Sequence, residues 1–259
     1  MKQDQEPGVQ SVDRALYILE ALGRHGRLVS VTELSHELGI HKSTVFRLLN
    51  TLVQHRLAEQ DPETQRYKLG LRILDLSNRL LSNLQVRTEA MPHLRELAQA
   101  CGESVHLGVL NAGELVYIDK VEDTGAAPMY SKIGRRAPVH CTAMGKAMLA
   151  FLPIDEARTI LEQQGLTRKT PNTICSLDQL LTALNDVRQQ GFSFDDEEHE
   201  IGIRCVGAPI LDHRGSVVAA LSVSGPCLRI TEALKTGLAE KVRQTGLAIS
   251  ARLGYDGPR

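Results

Sequence analysis

The sequence predicts an α+β chain built from two modules, and three observations carry that prediction. Its 259 residues exceed the ~100–200 typical of a single domain. Helical periodicity dominates from about residue 11, closed near residue 70 by one short strand–turn–strand pattern. Beyond residue 101, strand and helix patterns alternate irregularly, as in a mainly antiparallel sheet flanked by helices. With 42% hydrophobic residues, 3% aromatic and no Trp, both cores must be aliphatic. The formal net charge of −1 means that any affinity for nucleic acid has to come from local charge.

Cys101, Cys141, Cys175, Cys205 and Cys227 are odd in number and never in C-x-x-C spacing, which predicts reduced thiols rather than a disulfide framework or a four-cysteine zinc site. The opening MKQDQEPGVQ is polar and unlike a signal peptide, and no apolar run approaches the ~20 residues of a membrane span. A soluble, cytoplasmic protein without a membrane partner is expected, with residues 1–10 as a flexible tail.

Residues 11–70 are expected to form the first module. Val12, Ala15, Leu16, Leu19 and Leu22 recur at helical spacing and the pattern ends at Gly23 and Gly26. Ser30 and Glu33 have capping-box spacing, Val31, Leu34 and Leu38 form a short apolar face, and Gly39 is placed as a left-handed stop. A further helix is predicted from about His41 to Gln54, with Val45, Leu48, Leu49 and Leu52 inward. Two short helices around a glycine turn make a helix-turn-helix. The second is suited to reading DNA: Ser43, Arg47, Asn50 and Gln54 form its outer stripe, Lys42 and Thr44 enrich its first turn, and it has no acid. Any amphipathic surface helix has a polar face, so the neighbouring pattern matters. LAEQDPETQRYKLG reads as a hairpin wing, with Arg66 and Lys68 available to phosphate.

These residues carry a resemblance. VDRALYILEAL, VTELSHELGIHKSTVFRLLNTL with its S-T-V-x-R-L-L core, and a wing ending in YKLG resemble the DNA-binding half of the IclR family. The resemblance implies a winged helix-turn-helix that enters the major groove of palindromic double-stranded operator DNA as part of a dimer.

From Leu71 to Cys101 the helical pattern is nearly continuous, with a break expected at Pro92. Residues 71–86 are expected to be a linker helix whose apolar stripe of Ile73, Leu76, Leu80, Leu81 and Leu84 docks either on its own wing domain or on a second subunit. The resemblance implies the second, giving a homodimer or a dimer of dimers.

Residues 87–255 are expected to form the second module. SVHLGVL and LVYIDKV flank Asn111-Ala112-Gly113 as a hairpin, and GIRCVGAPILD and SVVAALSVS flank His213-Arg214-Gly215 as another. Helices are predicted near 142–152, 154–164, 177–190 and from Thr231 to Leu253. Ser222 and Ser224 lie two apart on one strand, and Ile203 and Cys205 do so on its neighbour, so each pair shares a face. Thr142 is placed as an N-cap that leaves Ala143, Met144 and Gly145 as an amide cradle for an anion. Asp195 is placed to accept from a ligand hydroxyl. VHCTAMGKAMLA, GFSFDDEEHEIGIRCVGAPI and ALSVSGPCLRIT resemble the effector-binding, GAF-like half of the same family, and MYSKIGRRAPVHCTAMGK resembles its sugar-acid branch, the ketodeoxygluconate repressors. The resemblance covers about residues 10–255. It implies an effector pocket lined by Ala143, Met144, Asp195, Cys205, Ser222 and Ser224, with Met129 and Ile203 as apolar wall. The expected ligand is a small carboxylate such as a sugar acid or 2-oxo acid. Arg135 and Arg136 read as an exposed structural pair, with a ligand carboxylate as the alternative partner.

An enzyme with a fused DNA-binding domain is the rival reading. His140–Cys141 lacks a catalytic motif, and adjacent strand residues point to opposite sides. His199 stands near Asp195 and Glu198 without a motif, and whether His106, His140, His199 and Cys205 converge on a metal is for the fold to decide. No catalytic residue, cofactor or metal ligand is therefore expected. A ligand-free architectural protein has no use for the paired serines. Repression relieved by a sugar acid is the expected sign, with activation left open.

Overall fold

The structure is a computed structural model that describes residues 8–82, 84–122 and 131–257. Its contacts divide the chain into two units, Met1–Asn83 and Leu84–Arg259, and each is described by itself.

The first unit holds helices α1 (Gln10–His25), α2 (Val31–Leu38) and α3 (Lys42–Gln54), a hairpin of β1 (Ala58–Gln60) and β2 (Tyr67–Leu69), and α4 (Arg72–Ser82). Ile18, Ala21, Leu22, Leu34, Val45, Leu49 and Leu52 close one core that is aliphatic except for the buried ring of Tyr67. The expected inner face of α1 is rotated. Val12 and Leu16 are about half exposed, while Ile18 and Ala21 are fully buried. Both sets obey helical spacing on so apolar a helix, and only the docking of α2, α3 and β2 selects between them. The capping box at α2 forms in both directions between Ser30 and Glu33, and Gly39 ends the helix with φ 64°. Leu34 is buried there, while Val31 and Leu38 are only partly so.

The hairpin pairs Ala58 with Leu69, Glu59 with Lys68 and Gln60 with Tyr67. Asp61 ties its turn by accepting from the backbone N–H (2.8 Å) and hydroxyl (2.6 Å) of Thr64. Pro92 does not break the helical run. The break falls earlier, between α4, which ends at Ser82, and α5 (Gln85–Cys101), which carries Pro92 inside it. The missing proline N–H costs one backbone bond, and burial of Ala90, Leu94, Leu97 and Ala98 outweighs it. Leu84 is thus the residue before α5 rather than part of the α4 stripe.

The second unit is built on a six-stranded antiparallel sheet, in the order β5 (Arg136–Ala137), β4 (Glu114–Val121), β3 (Ser104–Asn111), β8 (Val217–Pro226), β7 (Ile203–Leu211), β6 (Ser193–Asp196). The expected hairpins are β3–β4 and β7–β8. Helices α6 (Ala143–Phe151), α7 (Ile154–Gln164), α8 (Leu177–Gln190) and α9 (Glu232–Arg252) complete it. A Cβ at Gly207 would strike the start of α6, whereas one at Gly246 of α9 would strike Ala208 and Leu221. Neighbouring strand residues point to opposite faces, so α6 and α9 cover opposite sides of the sheet. Met144, Ala147, Met148, Leu180 and Leu184 fill the core on the α6 side.

Candidate functional site

The first unit presents α3. His41 caps it, its Nδ1 accepting from Ser43 N (3.4 Å) and lying 2.9 Å from Ser43 Oγ. Val45, Leu49 and Leu52 are buried, Leu48 and Thr44 are half-buried, and Lys42, Ser43, Arg47, Asn50 and Gln54 are exposed. Sequence spacing therefore places the polar stripe on the outer face. Phe46, which spacing had not singled out, is 48% exposed beside it. On the wing, Lys68 faces Glu59 at 3.4 Å and Arg66 lies 4.0 Å from Glu33. Such exposed pairs are worth little, so neither cation is tied down.

The second unit holds a cavity of about 60 Å³ between the sheet and the start of α6. At ~10–15 Å³ for each water-sized body, that is room for roughly four to six such groups. Ala143 and Met144 form one side, and Asp195 and Ile203 stand on another. Cys205, Ser222 and Ser224 make the floor. Seven of the eight expected residues thus reach one space, and Met129 lies outside the described residues.

Thr142 occupies the N-cap position, but its hydroxyl donates to Pro138 O (2.7 Å) instead of capping the helix. The amides at the start of α6 are left without a side-chain cap, at the positive end of the helix dipole. The approach is close because Gly145 and Gly207 are glycines. A Cβ at Gly145 would lie 2.4 Å from Val139 Cα, and one at Gly207 2.8 Å from Ala143 C.

Asp195 sits on β6 and is 3% exposed. Its Oδ1 accepts from the N–H of Glu198 (2.8 Å) and of His199 (3.2 Å). Burial pushes its carboxyl up to about 7, although Lys146 and those two N–H groups pull the other way. Lys146 of α6 makes a short buried ion pair with Glu198, whose backbone carbonyl accepts from Thr173 Oγ1 (2.7 Å). Thr170 Oγ1 holds Glu197 O at 2.6 Å. The turn that follows Asp195 is therefore held by Thr170, Thr173 and Lys146.

Tyr117, Ser131, Ala137 and Glu200 line the cavity without having been singled out from sequence, and His106 and His199, considered there only for metal or catalytic roles, line it too. A histidine in an apolar strand reads as core, and Ser131 and His199 come near only through the fold. The arginine pair divides. Arg136 bonds Asn111 Oδ1 (2.5 Å) and Glu114 (3.1 Å), whereas Arg135 lines the cavity.

The thiol of Cys141 lies 3.7 Å from His199 Nδ1, with burial and nearby acids pushing it up to about 12. That favours an inert thiol rather than a nucleophile. His140 Nε2 is engaged with Thr167 O at 3.0 Å. Among the described residues no group of three His, Cys, Asp or Glu is arranged to hold a metal, and no helix is long and apolar enough to cross a membrane.

Two family models match: the IclR helix-turn-helix domain over residues 11–62, and the bacterial transcriptional regulator IclR C-terminal domain over residues 78–251. The chain belongs to the IclR family of transcriptional regulators. The HTH-type transcriptional regulator XynR of Escherichia coli is 40% identical over 249 residues, covering 96% of this chain and 99% of that protein. The regulator KdgR of E. coli is 39% identical over 253 residues, covering 97% and 96%. The crystal structure of the Thermotoga maritima IclR superposes with a TM-score of 0.82 at 33% identity, over 95% of this chain and 99% of that one. IclR regulators bind DNA through the first domain and a small molecule through the second. This chain is a transcriptional regulator and not an enzyme.

Proposed function

We propose that this IclR-family protein is a cytoplasmic repressor that leaves its operator when a small carboxylate occupies the cavity of the second unit. The observation that carries this reading is the uncapped start of α6 facing hydroxyls and a buried carboxyl in one small space. Amides at a helix N-terminus suit a carboxylate, and Asp195, Ser222 and Ser224 suit the hydroxyls of a sugar acid. The similarity to AllR of Salmonella typhimurium, named a transcriptional repressor and 36% identical over 253 residues, supports this sign.

In this reading Lys42, Ser43, Thr44, Arg47 and Asn50 enter the major groove, and Arg66 and Lys68 of the wing meet phosphate. A palindromic operator needs two copies of the reader. The exposed Leu74, Leu76 and Leu80 of α4 supply an apolar face for pairing, within a homodimer or a dimer of dimers. The ligand acts only through its different affinity for the operator-competent and incompetent states. A coupling of about 1–3 kcal/mol would lower operator affinity some 5- to 150-fold.

The test is fluorescence anisotropy with DNA from upstream of the protein's own gene, at constant salt, titrated with sugar acids and short 2-oxo acids. One acid should weaken tight, sequence-specific binding, and Ser222→Ala should blunt that response while leaving operator affinity unchanged. Specific binding indifferent to every acid would sink the ligand reading.

A further inference from the structure

The chain has four phenylalanines, and three of them are packed. Phe192 and Phe194 meet edge-on with ring centroids 5.4 Å apart, and Phe151, at the end of α6, packs against the core of the second unit. Phe46 on α3 is the exception. It is 48% exposed and stands outside the core that its neighbours Val45 and Leu49 enter. Single surface hydrophobics are common, so exposure alone carries nothing. What matters is where this ring stands.

Lys42 and Asn50 lie one helical turn before and after Phe46, Arg47 follows it directly, and all three are exposed. The ring therefore flanks the polar stripe of the reader helix. A phenyl ring has neither donor nor acceptor, so it is blind to the hydrogen-bonding base edges that Ser43, Arg47 and Asn50 can read. The base pairs offer the major groove one apolar group, the 5-methyl of thymine. Ring and methyl both leave water when they meet, and that burial is favourable.

We infer that Phe46 is a specificity-determining residue of the reader helix, its ring covering the 5-methyl group of one thymine in each operator half-site. The inference rests on the proposed entry of α3 into the major groove, and it adds a base contact that the polar stripe does not make. Phosphate contacts from the wing hold the protein on any sequence. Loss of the ring therefore lowers discrimination between sequences and leaves affinity for random DNA unchanged.

The test begins by selecting duplexes from a random-sequence pool with the full-length parent and, separately, with Phe46→Ala. Alanine at an exposed helix position favours the helix, so the variant should match the parent in its far-ultraviolet spectrum and on random DNA. The parent's consensus should hold a thymine in each half-site that becomes degenerate with the variant, while the other positions persist. The parent's consensus duplex is then made with deoxyuridine at those thymines, which deletes the methyl and keeps the pairing. Anisotropy at constant salt should show the parent's affinity falling about fourfold for each half-site, from about 0.8 kcal/mol per methyl with about 1.4 kcal/mol as tenfold. Phe46→Ala should show no such fall. A parent indifferent to the methyl, a deoxyuridine penalty equal in parent and variant, or a thymine equally fixed in both consensus sequences would overturn the role of Phe46 and leave the reader helix standing. Absence of any consensus from the parent would remove the reader helix itself and this inference with it.

Discussion

Replacing Asp195 by Asn should change how the stability of the second unit depends on pH. The carboxyl is 3% exposed and its folded-state value is raised from 3.8 to about 7, chiefly by burial. A raised acid binds its proton more tightly in the folded than in the unfolded chain, so its contribution is stabilising at low pH. That contribution is complete below the unfolded value near 4 and is lost as pH rises through about 7. At about 1.4 kcal/mol for each pH unit of displacement, the whole window is worth about 4 kcal/mol. Between about pH 5 and about pH 8 the loss is roughly 2.5 kcal/mol, because at about pH 5 the unfolded group is already mostly ionised. Asparagine keeps an oxygen for the N–H groups of Glu198 and His199 but has no proton to lose.

The assay is urea unfolding followed by far-ultraviolet circular dichroism, since the chain has no Trp. Parent and Asp195→Asn are compared at both pH values, and subtracting one from the other cancels the other titrating groups, including His140 and His199, whose values burial lowers. The stability of the variant relative to the parent should rise by roughly 2.5 kcal/mol between about pH 5 and about pH 8. A difference that does not move with pH would refute the argument that burial dominates at Asp195.

Arg47→Ala should cost about 1–3 kcal/mol of operator discrimination and leave the far-ultraviolet spectrum unchanged; anisotropy against operator and random DNA reads both affinities. Gly145→Ala forces a methyl to within 2.4 Å of Val139 backbone atoms, so a loss of 1 to roughly 3 kcal/mol is expected in urea titrations. Lys146→Met strands the buried carboxyl of Glu198, and its loss of about 3–5 kcal/mol should shrink at acid pH, where Glu198, raised by burial, can protonate. Leu76→Glu with Leu80→Glu on α4 should lower the oligomeric state in analytical ultracentrifugation and weaken operator binding without altering the fold of the monomer.

Much of the first unit was legible before folding because its signals are local. The capping box of Ser30 and Glu33, the left-handed Gly39, the outward stripe of α3 and the Asp61 turn are set by residues a few positions apart. In the second unit the same holds for the β3–β4 and β7–β8 hairpins and for α6 to α9. β6 was harder to see because its pattern is inverted: Ser193 and Asp195 are buried while Phe194 is half-exposed. Polar residues on a buried face defeat a rule based on hydrophobic alternation.

Spacing placed Ser222 beside Ser224, and Ile203 beside Cys205, on common faces, because strand geometry alternates side chains regardless of what lies around them. Which side of α1 would be buried was undecided, since two apolar stripes satisfied the same period and the surrounding elements chose one. The place of the helix break was likewise a tertiary outcome, the packed face of α5 outweighing the bond lost at Pro92. His106, Ser131 and Asp195 are far apart in sequence, yet they meet because β3, β8, β7 and β6 lie side by side in that order. Local periodicity specifies each element and the face that it offers. The chemistry of the cavity needed the sheet order and the depth of burial, which arise only when distant strands pair and exclude water.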